Sequence, residues 1–106
     1  MAQRAFFLNR LREGVDPAEY ERFVREVDYP FARALPTIRS YVVTRIDGLI
    51  QGDGEPPYEY LEVVEITEIE AYRASLDPSN PEVADFFEQW SSLVGESVML
   101  YGEVIE

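Results

Sequence analysis

Tyr58-Glu59-Tyr60-Leu61-Glu62-Val63-Val64-Glu65-Ile66 (YEYLEVVEI) reads as a β-strand, rich in aromatic and β-branched residues and free of Gly and Pro. Alternation puts Tyr60, Glu62 and Val64 on one face and Leu61 and Val63 on the other. Both faces are therefore apolar at mid-strand. Two further segments share the property. In Arg4–Leu11 (RAFFLNRL) Phe6 and Leu8 oppose Phe7, and in Thr37–Ile46 (TIRSYVVTRI) Val42 and Val43 divide between the faces. Strands that are apolar on both sides need cover on both sides. Helices supply one cover, and a second sheet from a twin molecule is the simplest source of the other, so a homodimer is expected.

The intervening segments supply the helices. Asp16 is an N-cap with Pro17 at the first helical position and Glu19 completing a capping box, and Val15 can staple onto Tyr20. Tyr20, Phe23, Val24 and Val27 then recur at helical spacing. Pro30 disfavours a helical Tyr29, so this helix is expected to end near Asp28. Asp47–Pro57, with three glycines and two prolines, is a long loop. Thr67 and Glu70 read as a second capping box before Ile69, Tyr72 and Leu76. Asn80-Pro81 opens a third helix, with Val83, Phe86, Phe87, Trp90 and Val94 on one stripe and Gly95 as its stop. Ser97–Val104 is a last strand. The order β-α-β-β-α-β, with the second helix split, predicts an α+β, ferredoxin-like fold: a four-stranded antiparallel sheet with helices on one face, as one domain over residues 1–106.

Composition narrows the chemistry. The chain has 106 residues, 46% hydrophobic and 13% aromatic, which suits a packed domain. Its formal net charge of −12 opposes nucleic acid and anionic membrane surfaces as partners. No apolar run has the length of a membrane span and no signal-peptide pattern opens the chain, so a cytoplasmic location is expected. Cys, His and Lys are absent, and all nine basic residues are Arg. That excludes disulfides, thiolate nucleophiles, Schiff-base lysines and a Ser-His-Asp triad, and leaves only hard oxygen sites for any metal. Proton transfer by a side chain falls to Asp, Glu or Tyr. No cofactor or metal is expected.

Glu62 is the leading candidate, because a carboxylate in the middle of a central strand needs a partner or a task. Desolvation there raises its pKa toward the useful range for an acid or base. A structural ion pair with Arg45 or Arg39 is the alternative, and both readings stand open. Asn9 interrupts an apolar strand between Phe7 and Leu11, and serves either as a structural hydrogen-bonding group or to orient a substrate carbonyl. Asp28, at the expected helix C-terminus, opposes the helix dipole and so needs a compensating contact. Tyr29, turned off the helix by Pro30, points away from the solvent face; capping of the next turn explains both residues equally well. Arg22 and Arg25 are spaced for ordinary helix-surface pairs with Glu26 and Asp28. Tyr41, Tyr58, Tyr60 and Tyr101 lie on expected strands, where a phenol gives an apolar wall with one polar handle.

Taken together, Asp16-Pro17-Ala18-Glu19-Tyr20, Val24-Arg25-Glu26-Val27-Asp28-Tyr29-Pro30, Ala32-Arg33-Ala34-Leu35-Pro36, Ser40-Tyr41 and Pro57–Val63 (PYEYLEV) resemble the REDY-like HapK family over nearly the whole chain. The resemblance implies a dimeric α+β barrel. It further implies a cofactor-free helper of cyclisation or dehydration in prodiginine-like secondary metabolism, acting on a small hydrophobic carbonyl substrate. In that picture Glu62, Asp28 and Tyr29 are catalytic, and Tyr41, Tyr60, Asn9, Arg45 and Arg25 bind substrate. Two other readings stay open: a cofactor-free monooxygenase of the dimeric-barrel type, and a non-catalytic dimeric binding protein. The last predicts a pocket with no carboxylate inside it.

Overall fold

Strand β1 (Gln3–Leu11) lies at the heart of the sheet, paired antiparallel with β3 (Tyr60–Ile66) on one side and β4 (Val94–Glu103) on the other. The edge strand β2 (Ile38–Arg45) pairs antiparallel with β3, giving the order β2-β3-β1-β4. This computed structural model describes residues 2–106. The helices are α1 (Pro17–Phe23), a π turn (Val24–Asp28), α2 (Tyr29–Arg33), α3 (Ile69–Ser75) and α4 (Pro81–Leu93). The fold is the expected α+β, ferredoxin-like arrangement.

The alternation read from the sequence is realised in β3. Tyr60, Glu62, Val64 and Ile66 are all buried, while Leu61, Val63 and Glu65 keep part of their surface. On that second face the register aligns Val42, Val63, Phe6 and Leu100 in one row and Thr44, Leu61, Leu8 and Val98 in the next. Val42 and Leu100 are about half exposed.

The covered face holds two apolar clusters with a polar seam between them. Leu11, Tyr20, Phe23, Tyr60, Phe86 and Leu93 belong to one cluster; Ala5, Ala32, Tyr41, Val64, Ile66 and Tyr72 make the other. Along β1 and β3, Asn9 and Glu62 fall where one cluster gives way to the other.

Three local expectations are corrected. The first helix does not end at Asp28. Tyr29 has helical dihedrals and the helical path continues to Arg33. The Tyr29 N–H bonds to the Val24 carbonyl five residues back, so the turn before Pro30 is widened to a π turn. That extra residue accommodates a ring that lacks an N–H and crowds the carbonyl four residues back. Asp28 therefore sits inside a helical run, and the helix-dipole argument for it does not apply. Second, α3 is capped by Glu68, whose carboxylate accepts from the Glu70 and Ala71 N–H groups, and not by Thr67. Third, Gly95 does not stop α4. The helix gives way to extended backbone at Val94, and Gly95 lies in β4. A Cβ there would come within 3.2 Å of the Arg12 Cα, so close approach of two backbones accounts for the glycine.

Candidate active site

Four elements deliver four polar side chains to the seam. Glu62 comes from β3, Asn9 from β1, Tyr41 from β2 and Asp28 from the π turn. Asn9, Asp28 and Glu62 are 0%, 2% and 4% exposed, the three buried polar or charged residues among those described. The π turn matters here, because one added residue rotates the downstream helix by about a quarter-turn relative to a plain α-helix and re-aims the side chain.

The Tyr41 hydroxyl lies 2.7 Å from Asp28 Oδ2 and 2.5 Å from Glu62 Oε1. The Asn9 Nδ2 donates to Glu62 Oε2, and the Ser97 hydroxyl donates to Asn9 Oδ1 at 2.6 Å. An unbroken chain Ser97–Asn9–Glu62–Tyr41–Asp28 thus crosses all four strands. A phenol has one proton to give. It can donate to one carboxyl only, so the other contact is satisfied when that second carboxyl carries a proton and donates to the phenol oxygen. The geometry fits a pair of carboxyls sharing one proton.

Electrostatics agree. Burial pushes the Asp28 carboxyl up to about 7, with the Glu62 charge adding to it and the Tyr41 hydrogen bond opposing it. Burial raises Glu62 as well, against hydrogen bonding from Tyr41, Asn9 and the Trp90 side chain. No arginine pairs with either carboxyl among the described residues, so the alternative reading of Glu62, an ion pair with Arg45 or Arg39, does not hold. Among the described residues the fully buried Tyr20 hydroxyl has no hydrogen-bond partner.

Asp28, Tyr41 and Glu62 line a cavity of about 30 Å³ whose other walls are apolar, among them Phe7, Phe31, Phe86 and Trp90. That is room for about one water molecule. A larger groove of about 210 Å³ adjoins it, floored by Ala5, Met99 and Tyr101. Phe7, Tyr72, Leu76 and Phe87 border both spaces.

The remaining four candidates lie elsewhere. Tyr29 packs its ring edge-on to Tyr41, but its hydroxyl accepts the edge-strand N–H of Val43 at 3.1 Å. Tyr60 donates to Glu21 at 2.7 Å. Arg45 is exposed and pairs with Glu21 and Asp47. Arg25 is exposed, and all four line a shallow depression separate from the carboxyl cavity. Two residues at the seam, the half-buried Ser97 and the buried Tyr20, carry no functional reading in the sequence. Ser97, a hydroxyl on β4, is brought to Asn9 only by the β1–β4 register. Tyr20 was hidden as one apolar position of a helix stripe.

A family model described as "REDY-like protein HapK" matches residues 3–105. Among solved structures, HapK from Hahella chejuensis is 26% identical, with a TM-score of 0.77 over 97% of this chain and 92% of that one. A dimeric ferredoxin-like protein of unknown function from Thermobifida fusca is 19% identical, with a TM-score of 0.71 over 98% of this chain and 92% of its own. A hydroxynitrile lyase from Passiflora edulis is 12% identical, with a TM-score of 0.76 over 99% and 94%. None of the curated proteins compared matches the sequence. Among the described residues, no helix is long and apolar enough to cross a membrane.

Proposed function

The chain belongs to the REDY-like HapK family, and from that premise we propose that it is a cofactor-free proton-transfer enzyme that assists cyclisation or dehydration of a small hydrophobic carbonyl compound. Prodiginine-like secondary metabolism in the cytoplasm is the setting the family suggests. One observation carries the reading: two buried carboxyls bridged by a single tyrosine hydroxyl at the wall of an otherwise apolar cavity.

A dehydration needs a base at carbon and an acid at the departing oxygen. In a hydroxyl-bearing carbonyl substrate, the carboxylate of the pair removes the proton next to the carbonyl. The protonated partner gives its proton to the hydroxyl, the C–O bond breaks and water leaves. The electron pair of the C–H bond becomes the new double bond. The pair then holds its one proton on the wrong carboxyl, and transfer through the Tyr41 hydroxyl restores the starting state. The cavity by the carboxyls is sized for the departing water, and the adjoining groove for the apolar body of the substrate. A lyase from Passiflora edulis is built on the same fold, which is compatible with this chemistry. A pure carrier calls for a pocket without carboxylates, and two carboxylates here count against that reading.

The working unit in this proposal is a homodimer joined through the uncovered sheet face, whose two apolar rows otherwise meet water. Sedimentation that finds only monomer at micromolar concentration would remove that part.

The test of the chemistry is turnover of a β-hydroxy aryl ketone to its conjugated enone, monitored by ultraviolet absorbance. Glu62→Gln and Asp28→Asn should each lose about 10²- to 10⁴-fold in kcat. Full activity in both folded variants, or saturable binding of the ketone without turnover by the unmodified protein, overturns the proposal.

A further inference from the structure

We propose that Tyr72 is a further catalytic residue: standing where the carboxyl cavity meets the groove, its hydroxyl donates to the substrate's carbonyl oxygen and steadies the negative charge that gathers there when the neighbouring proton is removed. The inference rests on the proton-transfer reading. Its test includes a bound ketone that cannot dehydrate, so either can fail alone.

The two carboxyls leave one charge unattended. As a carboxylate takes the proton next to the carbonyl, the C–H pair moves into a C=C bond and the carbonyl π pair comes to rest on oxygen. That pair returns to re-form the C=O bond as the C–O bond breaks and the new double bond shifts along. Between apolar walls the charged oxygen needs a donor aimed at it. With the reacting carbons at Asp28 and Glu62 and the apolar body in the groove, the carbonyl falls at the junction of the two spaces. Phe7, Tyr72, Leu76 and Phe87 border both. Of these four side chains, only that of Tyr72 carries a hydrogen-bond donor.

Its hydroxyl is also uncommitted. Tyr41 is held between the two carboxyls and Tyr60 gives its proton to Glu21, but no described residue hydrogen-bonds the Tyr72 hydroxyl. Nor is that hydroxyl walled in, because among the described residues Tyr20 alone has a fully enclosed side-chain polar atom without a partner. The Tyr72 hydroxyl therefore meets open space, although the residue as a whole is buried. Burial, then the charges of Glu62 and Asp28, push the phenol pKa upward, so it keeps its proton and stays a donor. The helix that carries it is tied at both ends. The Ile69 N–H donates to the Gln3 side chain of β1 at 2.9 Å, and the Ser75 and Thr37 hydroxyls lie 2.9 Å apart. A donor held in this way needs no reorganisation as the charge develops.

The experiment adds acetophenone, labelled with ¹³C at its carbonyl, to the full chain and follows it by NMR. It lacks the hydroxyl that would leave, so it binds without dehydrating. In the unmodified protein the bound carbonyl carbon should resonate at or downfield of its position in water, and in Tyr72→Phe it should move upfield toward its position in a hydrocarbon solvent. With the β-hydroxy aryl ketone, Tyr72→Phe should lose about 10²- to 10³-fold in kcat with KM little changed, as for a donor that acts mainly in the transition state. The variant should melt no lower than the unmodified protein, because the hydroxyl it removes has no partner in the fold. A ketone that fails to bind, a bound resonance identical in the two proteins, full turnover by Tyr72→Phe, or a fall in its melting temperature overturns the proposal. A Tyr72-dependent shift in a protein that turns over no β-hydroxy ketone would instead sink the proton-transfer reading and leave the carbonyl contact standing.

Discussion

The same contact occurs twice in this molecule with opposite consequences. A tyrosine hydroxyl lies 2.7 Å from a carboxylate oxygen both where Tyr41 meets Asp28 and where Tyr60 meets Glu21. At the surface, the tyrosine hydrogen bond leads and the Arg45 charge helps, so the Glu21 carboxyl is held below its ordinary range. In the seam, burial outweighs the same hydrogen bond, a second carboxyl adds its charge, and Asp28 is pushed up to about 7. Geometry at the hydrogen bond is therefore not what separates a working acid from a structural anion. Access to water and the sign of the nearest charge decide it.

The largest effect expected from this contrast is in the pH dependence of stability. Asp28 has a folded pKa above its ordinary value of 3.8, so between about 3.8 and about 7 the folded state holds more proton than the unfolded state. Its contribution is complete below about pH 3.8 and disappears as pH rises through about 7. The span corresponds to about 4 kcal/mol. Urea unfolding at pH 4 and at pH 8 should show the unmodified protein losing that much more than Asp28→Asn over the interval. Equal slopes for the two proteins would erase the distinction between the seam and the surface.

Removing the hydroxyls tests the contrast from the donor side. Tyr41→Phe leaves two buried carboxyl groups without the group that lies between them, and should cost about 2 to 3 kcal/mol. Tyr60→Phe opens Glu21 to water as a replacement partner, and should cost about 1 kcal/mol or less. Denaturation midpoints at unchanged m-value measure both. A larger loss for Tyr60→Phe would place the critical hydrogen bond in the wrong region.

How much the chain revealed in advance depends on the range of each signal. Glu62 was legible because strand alternation is local: a charge at an inward position of Tyr60–Ile66 marks itself. Asn9 announced itself in the same way. Asp28 stands out in the sequence only through an expected helix end, but its burial comes from a π turn. Pro30 reads locally as a stop, and only packing of Tyr29 and Ala32 against β2 and β3 makes the wider turn worthwhile. Of the two readings open for Glu62, the ion pair with Arg45 or Arg39 fails because partner choice across strands depends on how far each side chain sits from the sheet end. Arg45 lies at the end of β2, opposite Tyr60, and turns to Glu21 and Asp47. Ser97 needed the β1–β4 register, which no single segment encodes.

Glu21→Gln is the smallest change and the most stringent control. Glu21 accepts from Tyr60 and Arg45 near the surface, so its loss should cost about 0.5 kcal/mol at neutral pH. The sign of its pH dependence is the reverse of that for Asp28. A lowered folded pKa means the contribution is present above the ordinary value of 4.5 and is lost as pH falls through the lowered one. The gap between Glu21→Gln and the unmodified protein should therefore be widest near pH 7, narrow toward pH 3, and shrink in added salt as the Arg45 pair is screened. If it instead widened with acid, the surface carboxyl would be behaving like the buried one, and exposure could no longer be the variable that tells the two tyrosine–carboxyl contacts apart.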